Sequence, residues 1–137
     1  MTRRAITRAA LQRAQARLDR LDLYGRPVDL RGVRVLVVPW LFRLPRLRRY
    51  RGYALRRTIL LRRPVAGRDS DDLLTHELCH VWQLQHRPLH VTWTYLTTRY
   101  RENPYEREAR AAVERTRPVR GRPQDGSAGD SLRAQPL

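Results

Sequence analysis

Two histidines, His76 and His80, stand four positions apart with Glu77 directly after the first, in the run Leu73-Leu74-Thr75-His76-Glu77-Leu78-Cys79-His80-Val81-Trp82. On an α-helix, residues i and i+4 share a face, so both imidazoles can be aimed at one metal ion, and their type and spacing indicate Zn2+. Glu77 lies off that common direction. A carboxylate there cannot easily join the two histidines, but it reaches a water molecule in the ion's open position and can take its proton. The chemistry indicated is metal-assisted hydrolysis with Glu77 as general base. Leu74, Leu78, Cys79, Val81 and Trp82 are all uncharged in a chain where 31% of residues are charged. A helix buried everywhere but on its metal face requires such a flank.

This run, taken with Asn103-Pro104-Tyr105-Glu106-Arg107-Glu108-Ala109, resembles the gluzincin-type metallopeptidases, in particular small bacterial ones that carry little beyond a minimal catalytic core. The resemblance covers about half the chain, from near Asp69 to near Arg115, and its first motif is the specific one. It implies an α+β fold with a small zincin-like core and a zinc ion held by two His and a Glu from a following helix. Carried over, Glu106 is the third ligand, within a Glu-x-x-Ala arrangement. Many gluzincins place an Asp one turn after that Glu to orient a ligand His, whereas this chain has Arg110. A guanidinium cannot accept an imidazole N–H, so another carboxylate or a backbone carbonyl is expected in that role.

His86 competes as third ligand, because it falls six residues after His80, where metzincins keep their third His. Metzincins need Gly after the second His to leave the helix with positive φ; here stands Gln83, a good helix former. They also have a Met beneath the metal, and the only Met here is Met1. Glu106 therefore ranks ahead of His86, and Glu108 behind both. Cys79, the only cysteine, points in a poor helical direction for sharing the metal of His80 and reads as a small buried residue. Tyr95, Tyr100, Tyr105 or an Arg near the cleft are candidates for stabilising a developing oxyanion.

The elements that must position these groups follow from the rest of the chain. Its 137 residues suffice for one domain with a modest core, expected over residues 1–116, and residues 117–137, rich in Pro, Gly, Ser, Asp and Gln, are expected to be disordered. In residues 2–22, Ile6, Ala10, Ala14, Leu18 and Leu21 form an apolar stripe at helical spacing, with the arginines largely off it. That helix is expected to pack its stripe on the core rather than act as an export signal. Gly25-Arg26-Pro27 breaks it. Val33 to Val38 reads as a strand ended by Pro39, and Tyr53 to Leu61 as a second strand. In the zincins that the chain resembles, a strand beside the active-site helix offers its edge to an extended substrate, a role expected of this second strand.

The active-site helix is expected from about Ser70 to Gln85, capped by Asp69 or Ser70 and stopped by Pro88. Residues 89–100 are compatible with a short helix, and Asn103 or Pro104 opens a last one running to about Arg115. His90 reads as a surface or packing residue.

Every one of the 29 basic residues is Arg, and against 13 acids they give a net charge of +16. Such a charge favours anionic partners, nucleic acid or an anionic membrane surface, and Arg43, Arg46, Arg48, Arg49 and Arg51 make the densest patch. The expected activity is that of a zinc-dependent peptidase acting on a peptide or protein. The alternative is a basic nucleic-acid or membrane-surface binding module with a structural or absent metal. A single cysteine permits no internal disulfide, and a cytoplasmic location is expected.

Overall fold

A computed structural model of the chain describes Thr2 to Pro118. The fold is α+β, four helices and a small three-stranded sheet. In order come α1 (Arg3–Asp19), β1 (Arg34–Val37), β2 (Gly52–Leu55), β3 (Thr58–Leu61), α2 (Asp71–His86), α3 (Pro88–Thr97) and α4 (Pro104–Thr116). The tail expected from Arg117 lies, beyond Pro118, outside the described residues.

The stripe on α1 behaves as its spacing requires. Ala10, Ala14 and Leu18 are completely buried, Leu21 packs against the same core, and the helix lies on α2. Small side chains at two successive turns let the helices approach closely. One arginine departs from the expected exposed face, because Arg17 is buried. Its guanidinium donates to Thr116 Oγ1 at 3.0 Å, to Asp72 Oδ1 at 2.9 Å and to the Val113 carbonyl at 2.9 Å. It thus ties α1 to the start of α2 and to the last turn of α4, where carbonyls lack helical partners. Arg13 adds a two-pronged contact to Asp71, with Nε 3.1 Å from Oδ2 and Nη2 2.9 Å from Oδ1.

The sheet has the order β1-β3-β2, with β1 parallel and β2 antiparallel to β3. The expected single strand from Tyr53 to Leu61 is therefore a hairpin. Arg56 and Arg57 turn it, and Arg56 takes φ +24°, a conformation usually left to Gly or Asn. Ile59 and Leu61 bury their side chains in the core, while Tyr53 and Leu55 of β2 remain exposed. Because β2 pairs only with β3, its outer edge is open among the described residues.

Ser70 occupies the N-cap position of α2, yet its hydroxyl accepts from the Ala66 N–H at 3.0 Å instead of capping the helix. A 3-10 turn over Gly67–Ser70 leads into α2 in place of a side-chain cap. Pro88 does not merely follow α2 but occupies the first turn of α3, where its missing N–H costs nothing. Asn103 caps α4, accepting the Tyr105 N–H at 2.9 Å. No helix among the described residues is long and apolar enough to cross a membrane.

The Arg17 clasp can be tested by Arg17→Met, which keeps the apolar stem but takes the guanidinium donor from the Val113 carbonyl and the Thr116 hydroxyl. Urea denaturation is expected to show a loss of about 2–4 kcal/mol. A loss within experimental error would mean that α1 and α4 are held by apolar packing alone.

Candidate metal centre

The i, i+4 spacing on α2 brings His76 and His80 side by side, their ring centroids 4.8 Å apart. From α4, Glu106 faces both. Its Oε1 lies 2.9 Å from His76 Nε2 and its Oε2 2.9 Å from His80 Nε2, while the two Nε2 atoms are 3.1 Å apart. Two imidazole nitrogens and a carboxylate thus converge on one point, the only such group of His, Cys, Asp or Glu side chains among the described residues. A tetrahedral zinc ion with bonds of about 2.0–2.1 Å spreads its ligand atoms to roughly 3.3–3.4 Å. The three donors need to separate by only a few tenths of an ångström, so the residues fit zinc in both type and placement.

The orientation of His80 fits as well, and a chain of hydrogen bonds sets it. Gln83 is 0% exposed, and its Nε2 donates to the Tyr105 carbonyl at 2.9 Å. A carbonyl only accepts, so the amide oxygen must point the other way, to His80 Nδ1 at 2.9 Å. That nitrogen therefore carries the proton, with the Tyr95 hydroxyl also 3.2 Å away. Nε2, which donates to Glu106, is then the nitrogen from which a metal would displace the proton. The orienting role that sequence reasoning assigned to a second carboxylate or a backbone carbonyl is filled by the side-chain carbonyl of Gln83, three residues along the same helix. The signal was present as an amide between Trp82 and Leu84 in an apolar helix segment.

Glu106 is 1% exposed. Burial pushes its carboxyl up, but hydrogen bonds from His76 and His80, together with their charge, outweigh burial and hold it well below the usual carboxylate range. It also accepts from Tyr100 Oη at 2.8 Å and Tyr95 Oη at 3.3 Å. Both phenols are pushed up, first by burial and then by the Glu106 carboxylate, so both stay protonated donors. Arg110, found where the resembled family has an acid, sits over the Tyr100 ring and brings Nε to 3.7 Å from Glu106 Oε1.

Glu77 is 5% exposed and lies beside the cluster without joining it. Burial raises its proton affinity, His80 and His76 pull it back, and Glu106 adds to the rise. Its neighbour across the cleft is Gly52 at the start of β2. A Cβ on Gly52 would lie 3.1 Å from Glu77 Cγ and 3.2 Å from Oε1, so a side chain there would press this carboxylate aside by a few tenths of an ångström. Sequence reasoning passed over Gly52, although a glycine next to a strand pattern signals close approach of another group.

The competing ligands are placed elsewhere. His86 stacks on Tyr24, centroids 5.2 Å apart, and is held below its ordinary pKa by burial and by Arg26. Glu108 bonds the Tyr24 hydroxyl and sits 3.2 Å from Gln83 Nε2, behind the amide that holds His80. Tyr105 is buried and turned to His90 Nδ1, which removes it from the oxyanion candidates and gives His90 a packing role. Tyr95 and Tyr100 remain at the site. Cys79 is buried, as expected, with its thiol pushed up by burial.

The cluster opens into a cleft of about 310 Å³ bordered by β2 on one side and α3 on the other, with Leu55, Leu84, Val91 and Leu96 among its apolar walls. Equilibrium dialysis with zinc separates the ligand choices. Glu106→Ala is expected to lose zinc and His86→Ala to keep it, and Gln83→Ala to weaken affinity roughly 10- to 100-fold. Retention by Glu106→Ala with loss by His86→Ala would move the site. Comparison of the chain with protein-family models, with curated proteins and with solved structures finds no match.

Proposed function

We propose that this chain is a zinc-dependent peptidase. The observation that carries the reading is the convergence of His76, His80 and Glu106 beside a buried carboxylate that is not itself a ligand. A purely structural zinc site is closed by four protein ligands, whereas three from the protein leave a position for water or substrate. When bound, zinc supplies Lewis acidity, which acidifies water and polarises a carbonyl.

The chain's own residues supply the rest. Glu77, its proton affinity raised by burial, accepts the proton of the attacking water and returns it to the departing amine. Its position against Gly52 fixes where that proton is held. The open edge of β2 can pair with an extended peptide through backbone hydrogen bonds, laying the scissile bond across the cleft. The apolar walls exclude water from one side of it. Tyr95 and Tyr100 stay protonated and keep Glu106 aligned. Either hydroxyl is a donor available to oxygen charge as it develops.

Glu77→Gln is expected to bind zinc as the native chain does and to lose hydrolysis of a fluorescence-quenched peptide library by at least roughly 100-fold. Undiminished turnover in that variant would remove Glu77 from the mechanism. Gly52→Ala is a gentler probe, expected to lower kcat/KM roughly 10- to 100-fold by displacing Glu77 while zinc affinity holds.

A further inference from the structure

Helix α3 is turned inside out. Val91, Thr94 and Tyr95 face the protein, whereas Leu89, Trp93 and Leu96 are 85%, 66% and 77% exposed. Spaced by four and three residues, those three fall within one narrow stripe on the outer face. The helix contains no charged residue over its whole length from Pro88 to Thr97. Charges begin at its ends, with exposed Arg87 before it and exposed Arg99 and Arg101 after it, against a single nearby acid, Glu102. An uncharged helix showing Leu and Trp outward, framed by arginines, has the chemistry of an element that lies in a bilayer interface.

We infer that the outer face of α3 docks on an anionic lipid surface, with Leu89, Trp93 and Leu96 entering the headgroup boundary and Arg87, Arg99 and Arg101 meeting lipid phosphates. The net charge of +16 selects among possible occupants. A second copy of the chain carries the same charge and is repelled, while an anionic leaflet is attracted. A nucleic acid would require guanidinium groups across the footprint, and this footprint holds hydrocarbon, indole and threonine hydroxyls. The inference is independent of the hydrolytic reading, though it bears on it. Val91 and Tyr95 line the cleft from the inward side of α3 and Leu96 lies at its exposed rim, so docking would hold the cleft close to the membrane surface.

The test is co-sedimentation of the full-length chain with vesicles of phosphatidylcholine alone or mixed with an equal part of phosphatidylglycerol. The native protein is compared with the triple variant Leu89→Ser/Trp93→Ser/Leu96→Ser, whose fold is checked by circular dichroism. Binding to the mixed vesicles, weakened about tenfold or more in the triple variant, is the result expected from losing three interfacial side chains. Equal binding by both proteins would assign the attraction to arginines elsewhere and overturn the inference. So would no binding by either. A native dimer that the triple variant converts to monomer, without native vesicle binding, would make the stripe a contact between copies. If the variant lost affinity for a single-stranded oligonucleotide while keeping vesicle binding, the face would belong to nucleic acid.

Discussion

The contact between the Glu106 carboxylate and the two imidazoles is the constraint around which the rest of the structure is arranged. A carboxylate 1% exposed is costly unless its charge is met, and here it is met by His76 and His80 from another helix. The helices carrying these groups must therefore lie close and in fixed register. Ala109 and Ala112 permit that approach, since both are buried where α4 meets the core. Cys79 and Leu78 on α2 are buried in the same core. The Arg17 clasp then fixes the far end of α4, so the helix bearing Glu106 is held at both ends of its length.

Positioning extends outward from this contact in layers. Gln83 sets the ring of His80, the Tyr105 carbonyl sets Gln83, and Glu108 and Tyr24 lie behind that amide. On the opposite side Gly52 clears space for Glu77. The three converging side chains come from two helices, the Glu77 carboxylate from between the histidines, and one wall of the cleft from a strand. No one element could build the site alone.

Much of this was legible in the residues, for reasons that differ by element. The histidine spacing is a statement about helical geometry, so the pairing of His76 with His80 follows once the segment is helical. The burial of Ala10, Ala14 and Leu18 likewise follows from an apolar stripe at helical spacing, which is more often packed on a core than laid on a membrane. The hairpin did not follow, because Arg56-Arg57 has none of the residues that favour positive φ; pairing with β1 and the core burial of Ile59 and Leu61 override local preference there. Ser70 was misjudged because a capping residue is defined by the chain around it, and here the Ala66 N–H competes for its hydroxyl. Gln83 and Gly52 were missed because their importance lies in partners 22 and 25 residues away, Tyr105 and Glu77, a kind of information that spacing within one helix does not carry. Glu106 was reached only through the resemblance of its surroundings to a known pattern.

The three-stranded sheet has two outer strands, β1 and β2, and an open strand margin is an invitation to self-association. Leu36, Val37, Tyr53 and Leu55 expose apolar surface on these two strands, which heightens the hazard. A net charge of +16 on so small a body counters it, because two such chains must overcome mutual repulsion before their strands can meet. The excess of arginine is thus also a colloidal safeguard, and it weakens as salt screens it. High ionic strength, or neutralisation by a polyanion, removes the barrier that keeps an exposed strand reserved for other chains.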